Sequence, residues 1–319
     1  GYFVVVNKDN YPAETRQIND LITKCLDIQT SQFVTETKEN HEALEVTEKD
    51  ARHVVKFLKP DGSLLTGVII GKNKETGQGS YVRLATSDKV YVAPQVPWIS
   101  TGPMSYIDQK LVVTSRNNIQ SVTVVSPDSK YTLKVEKEGE GIVLENIPAA
   151  KKLKDSDGRS VFNALTDIRF TDVKKKSAET DELTFERQYI CRLKDSTVYT
   201  FNIARKDDKT YVTCRAEFTD TMPVTIKKEG ESEEELKKKE AKLLARDKAK
   251  EFTTRHQGWV YQIADWKAKN LTKKLSDLLE DVITPEEKTE QKPEETEQQK
   301  KEPEETQQPA EPNAVEAEP

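Results

Sequence analysis

Apolar and polar positions follow two periods along this chain, and the same succession of periods occurs twice. In the first stretch Ile18, Leu21, Ile22, Cys25 and Leu26 fall at i, i+3, i+4, i+7 and i+8, which places five side chains on one helical face. Such a helix needs a surface to lie on, and the residues that follow supply one. Residues 54–58, 64–71, 81–84 and 90–92 read as strands. Pro60-Asp61-Gly62 and the segment containing Gly77 and Gly79 read as hairpin turns between them.

The second stretch begins at Pro148-Ala149. Val161, Phe162, Leu165, Asp167 and Ile168 stand 140 residues after Leu21, Ile22, Cys25, Asp27 and Ile28. Further on, the neighbourhood of Leu193 corresponds to Phe57-Leu58, Ile203-Ala204-Arg205 to Ile70-Gly71-Lys72, Tyr211-Val212 to Tyr81-Val82, and Val260-Tyr261 to Val90-Tyr91. Across the last two pairs the offset rises from 130 to 170, so 40 residues are inserted there. A duplicated helix-plus-meander module accounts for these offsets; two unrelated α+β stretches would share them only by chance. The expected fold is therefore α+β, with two duplicated modules, each an amphipathic helix packed on a mainly antiparallel sheet. The first module takes 1–110 and the second 111–284, with a charged helical insertion at about 219–257 and a disordered acidic tail at 285–319.

Three strand-like runs, 119–125, 131–135 and 142–144, precede the second helix, whereas the first helix is preceded only by the apolar run Tyr2-Phe3-Val4-Val5-Val6. If the modules are equivalent, the first is truncated at its N-terminus by roughly two strands. Residues 35–50 read as a polar connector with a short apolar anchor at His41, Leu44 and Val46. The segment 94–106 carries Pro94, Pro97, Gly102 and Pro103 and is neither helix nor central strand. In the insertion, Glu233, Glu234 and Glu235 each precede a lysine by four residues, which favours an isolated helix. With only Leu236, Leu243, Leu244 and Phe252 as large apolar residues, it reads as a solvated arm, or as one that docks a partner helix along its leucines. Leu271, Leu275, Leu278, Leu279 and Val282 predict a closing amphipathic helix, which Pro285 ends.

Composition changes this picture in two places. At 319 residues the chain suits two domains. Its net charge of −6 belongs to the end: residues 285–319 hold twelve Glu and four Lys, so the remainder carries +2. A near-neutral body excludes a strongly basic nucleic-acid face. Three cysteines make no disulfide framework. Cys25 reads as a buried small hydrophobe. In a plain meander Cys191 and Cys214 lie on strands about 10 Å apart, beyond the ~7 Å reach of a disulfide.

Candidate chemistry is sparse. His41, His53 and His256 lack metal-ligand spacing, so no metal or cofactor is expected. The stretch from Gly71 to Gly79 has no phosphate-loop order and reads as a hairpin. Asp27 and Asp167 recur in the two helices as polar-face residues, not as a catalytic pair. No catalytic, cofactor-binding or metal residue is assigned. Trp98 and Tyr106 either form a stacking platform for a glycan or peptide, or pin their loop to its own domain.

Tyr11-Pro12-Ala13, Ile70-Gly71-Lys72, Tyr81-Val82-Arg83-Leu84, Val90-Tyr91, Gly258-Trp259-Val260-Tyr261 and Leu275-Ser276-Asp277-Leu278-Leu279 resemble, in order and spacing, the bacterial family catalogued as domain of unknown function 4340. The resemblance spans nearly all of residues 1–282. It implies an N-terminal membrane anchor upstream of Gly1, an extracytoplasmic body at the inner membrane, and association with ABC-transporter components of the gliding-motility type. It supplies no functional residue and does not explain the acidic tail. The expected function is a non-enzymatic, membrane-anchored envelope protein, an accessory or scaffold of an ABC-type transport system with protein partners. The alternative is an extracytoplasmic glycan- or peptide-binding module using Trp98 and Tyr106.

Overall fold

In the computed structural model, residues 3–135, 141–223 and 232–282 are described. The acidic tail at 285–319 lies outside them. The fold is α+β with mainly antiparallel sheets, as the alternation predicts.

The smaller sheet has five strands in the order Gln32–Thr35, Val90–Ala93, Ser80–Leu84, Leu64–Asn73, His53–Leu58. Its turns form where the sequence places them: Gly62 and Gly77 adopt φ of 81° and 84°, a conformation that costs glycine little. Helix α1 (Thr15–Leu26) covers one face, with Leu21, Cys25 and Ile28 on Val68, Ile70, Val82 and Ala93. The connector covers the other face: Val46 is buried on Ile69 and Val90, and Arg83 Nε donates to the Val46 carbonyl at 2.6 Å. Gly71 permits this approach, since a Cβ there would stand 2.4 Å from the Leu44 carbonyl oxygen.

The larger sheet has nine strands in the order Ile142–Leu144, Ser129–Val135, Ile119–Ser126, Arg187–Leu193, Thr197–Lys206, Lys209–Phe218, Trp259–Ile263, Asp167–Lys175, Lys110–Val113. Cys191 and Cys214 are free and sit on strands separated by Thr197–Lys206. Helix α2 (Asp155–Phe162) buries Val161 and Phe162 in the main core with Val122, Leu133, Leu144 and Tyr189. The Tyr189 hydroxyl donates to the Val161 carbonyl at 2.7 Å, which satisfies a phenol held in an apolar interior. Val5 and Tyr11 also belong to this core, beside Phe170 and Tyr261.

The two sheets carry the same pairing. In the smaller, Phe33, Tyr91, Val82, Ile70 and His53 are successive cross-strand partners; in the larger, Val173, Tyr261, Val212, Ile203 and Arg187 are. Phe33 and Val173 keep the offset of 140 that relates the helices, and Tyr91 and Tyr261 the offset of 170.

Several expectations are corrected. Helix α2 ends at Phe162, so Leu165 and Ile168 follow the helix and Asp167 opens a strand. Leu26 is 73% exposed, since it begins to turn away from the sheet at the end of α1, and Cys25 is half-buried rather than buried. Three shorter pieces replace the closing helix: the helices Asp265–Leu271 and Leu275–Leu278 and the strand Leu279–Asp281. The break falls at Lys273, whose carbonyl accepts from the Tyr131 hydroxyl at 2.7 Å and so leaves the helical ladder.

The inserted arm is a helix over Glu233–His256, capped by a Ser232–Glu235 box. One face of its second half is docked on the larger sheet rather than solvated. Ala245, Ala249 and His256 are buried, and the Thr253 hydroxyl donates to the Ala216 carbonyl at 2.7 Å and accepts from its amide at 2.8 Å. Alanines at i and i+4 let the helix backbone approach the sheet closely. Leu236 and Leu244 stay exposed.

Candidate functional site

A buried polar cluster lies where this helix meets the larger sheet. The Tyr261 hydroxyl hydrogen-bonds His256 Nδ1 at 2.7 Å, and the Tyr11 hydroxyl stands 3.5 Å from that of Tyr261. Aromatic rings enclose them: Trp259 stacks edge-on to Tyr11 at 4.8 Å, and Phe252 lies 4.4 Å from the imidazole. Burial, aided by the neighbouring Arg255 charge, lowers the His256 pKa to about 4, so the ring is neutral and can accept from the phenol. Burial raises Tyr261, which keeps its proton. A cavity of about 200 Å³ opens beside His256, lined by Lys176, Asn202, Cys214, Arg215 and Trp259. Burial raises the Cys214 thiol and pushes Cys191 up to about 12, so neither is a thiolate nucleophile at neutral pH. Chemically the cluster is a satisfied hydrogen-bond chain in an aromatic wall. It fixes the helix to the sheet.

A cavity of about 600 Å³ lies between Asn7–Asn10 and residues 173–177. Around it Lys8 Nζ meets Asp172 at 2.6 Å, Lys174 Nζ meets Glu179 at 3.8 Å, and Asp9 accepts from the Lys175 amide at 2.9 Å.

The surface that stands out is on the smaller sheet. Val161, Phe162, Leu165 and Ile168 are all 0% exposed, whereas Leu21, Ile22, Cys25 and Ile28, which precede them by 140 residues, are half-buried. The reason is in the strand order. In the larger sheet Arg187–Leu193 is flanked by Ile119–Ser126, which pairs Val122 with Cys191 and Val124 with Tyr189, and this extension closes over α2. In the smaller sheet the counterpart of Arg187–Leu193 is His53–Leu58, an edge among the described residues. Val54 and Leu58 on that strand are exposed, and His53 Nδ1 is closed off from solvent without a hydrogen-bond partner. An edge strand of this kind offers unpaired backbone groups beside an apolar helix face.

Sequence reasoning singled out Trp98 and Tyr106, and the structure uses them differently. Trp98 is 77% exposed, while Tyr106 packs against the main core and its hydroxyl donates to the Ser100 carbonyl at 2.8 Å, pinning its own loop. His53 lies on a strand of the smaller sheet, His41 in the connector, and His256 at the end of the inserted helix, each with its own surroundings. Among the described residues no group of three His, Cys, Asp or Glu is placed to hold a metal ion, and no helix is long and apolar enough to cross a membrane. The α1 face was visible as a helical stripe, and the strand runs 119–125 and 131–135, which the first stretch lacks before its helix, are the ones that cover α2.

Residues 4–188 match the family model described as Domain of unknown function (DUF4340). The chain belongs to this family. The matched residues include Tyr11-Pro12-Ala13, Ile70-Gly71-Lys72, Tyr81-Val82-Arg83-Leu84 and Val90-Tyr91, and stop short of Gly258 and Leu275, so the resemblance is shown over a shorter span than residues 1–282. No curated protein and no solved structure matches the chain. Helix α1, the edge strand His53–Leu58 and the strands Ile119–Ser126 and Ser129–Val135 all fall inside the DUF4340 region.

Proposed function

We propose that this DUF4340 protein is a non-enzymatic envelope protein that works by binding other proteins, as an accessory or scaffold of an ABC-type transport system. A segment upstream of Gly1 holds it at the inner membrane, with its body outside the cytoplasm. The observation that carries the binding role is the apolar face of α1, half-buried beside an edge strand, where the equivalent face of α2 is fully covered. Exposed apolar surface next to unpaired strand groups is a protein-docking chemistry. The structural role of the His256–Tyr261 pair supports the non-enzymatic reading, as do the raised thiols of Cys191 and Cys214. The shared pairing of the two sheets supports their origin as repeats of one module.

Fractionation of the full-length tagged protein in its host tests the location. Protease added to intact spheroplasts is expected to digest the body while the protein remains with the membrane. A soluble, protected protein would overturn the envelope assignment.

A further inference from the structure

We propose that the cavity beside His256 binds the carboxylate of a small organic acid. The site belongs to the larger sheet and is independent of the α1 face.

The cavity follows from how three elements meet. On one side Trp259–Ile263 is paired along its length, and its ladder with Asp167–Lys175 runs out to the pair Trp259 and Lys175. On the other side its ladder with Lys209–Phe218 stops at Tyr261 and Val212. Beyond that point the inserted helix takes the place of a strand, with the Thr253 hydroxyl serving both the amide and the carbonyl of Ala216. A fork is left between the two strands and the helix end, and the cavity of about 200 Å³ occupies it. Backbone groups alternate in direction along a strand. Cys214, midway between Val212 and Ala216, therefore turns its N–H to the side of the fork, where no ladder partner meets it.

The lining suits an anion. The Lys176 amide donates to the Gly258 carbonyl at 2.8 Å, which brings this lysine to the cavity, and its side chain has no ion-pair partner among the described residues. Glu179 is drawn to Lys174 instead, at 3.8 Å. Arg215 lines the cavity too, and its one ion pair, to Glu217 at 3.4 Å through Nε, is exposed and screened by water. Among the described residues no Asp or Glu lines the cavity, and burial keeps the Cys214 thiol neutral.

His256 supplies the second observation. It is 4% exposed, yet its Nε2 makes no hydrogen bond among the described residues and, unlike His53 Nδ1, is not sealed from solvent. A polar atom so deep in the fold calls for a partner from outside the chain. Trp259 adds an apolar wall. The volume equals about six waters at ~30 Å³ each, enough for a carboxylate on a small apolar body and too little for a nucleotide or a sugar chain. A guanidinium and an ammonium together complement a carboxylate by charge and by hydrogen bonding.

Benzoate is the probe, and benzamide, its neutral counterpart of the same shape, is the control. Calorimetric titration of the full chain is expected to give a Kd of about 1 mM or tighter for benzoate, the range open to a ligand of this size, and at least tenfold weaker binding of benzamide. Lys176→Gln and Arg215→Gln change exposed side chains and should keep the melting temperature, while each weakens benzoate about tenfold. Lys174→Gln, at the lysine paired with Glu179, should leave benzoate binding unchanged. Absence of benzoate binding in the millimolar range, equal binding of the two probes, or indifference to Lys176 and Arg215 would overturn the assignment. Inorganic phosphate binding more tightly than benzoate, with the same dependence on both cations, would overturn it in favour of a phosphate site.

Discussion

Phe162→Ala is expected to lower the unfolding free energy by about 3–5 kcal/mol, whereas Ile22→Ala, at the matching place in the smaller sheet, lowers it by about 1 kcal/mol. Phe162 is fully buried in the main core, between α2 and the strands that close over it. Removing its ring leaves a cavity that surrounding side chains fill only in part, and the cost adds lost transfer energy to lost packing. Ile22 is half-exposed in the folded chain, so truncation forfeits only part of its burial and opens no cavity. Denaturant unfolding of the two variants measures both numbers. Equal costs would mean that the α1 face is as fully covered as that of α2, contrary to the exposed surface on which the binding role depends.

Between pH 6.5 and pH 4 the fold is expected to lose about 3 kcal/mol through His256 alone. Burial, with Arg255 alongside, lowers its pKa from 6.5 to about 4. Over that interval the unfolded chain binds a proton at this residue and the folded chain does not, so stability falls as pH falls. The contribution is whole above pH 6.5 and gone below pH 4. Charging makes both ring nitrogens donors, so the Tyr261 hydroxyl would have to accept from His256 Nδ1. His53, lowered chiefly by desolvation, adds a contribution of the same sign. Stability measured against pH in the wild type and in His256→Gln separates the effect: the slope between pH 6.5 and 4 should flatten in the variant. An unchanged slope would place the titration elsewhere.

The two meanders were legible because their information is local. Alternation in residues 64–71 and 81–84, with Gly62, Gly77 and Gly79 at the turns, defines strands and their connections without reference to anything distant. Even the shared register could be traced, since Ile70, Val82 and Tyr91 recur as Ile203, Val212 and Tyr261. Distant partners decided the rest. The closing helix breaks because the Tyr131 hydroxyl, 142 residues away, takes the Lys273 carbonyl. The inserted helix docks through Ala245, Ala249 and Thr253, residues too small or too polar to register as an apolar face; their spacing at i, i+4 and i+8 was the available signal. As for the candidate surface, the stripe on α1 and the shortage of strand runs before it were both plain from the sequence; that the runs 119–125 and 131–135 flank Arg187–Leu193 was not, because strand order is not encoded locally.

The central claim, that the α1 face of the smaller sheet holds a partner, is tested most directly by a photo-crosslinking residue placed at Ile22 in the full-length protein in its host. A second protein carries it at Thr23, which is exposed on the same helix but off the apolar stripe. Irradiation is expected to give a discrete, heavier protein adduct from position 22 and none from position 23. Absence of an adduct at position 22, or the same adduct from both positions, would contradict the account.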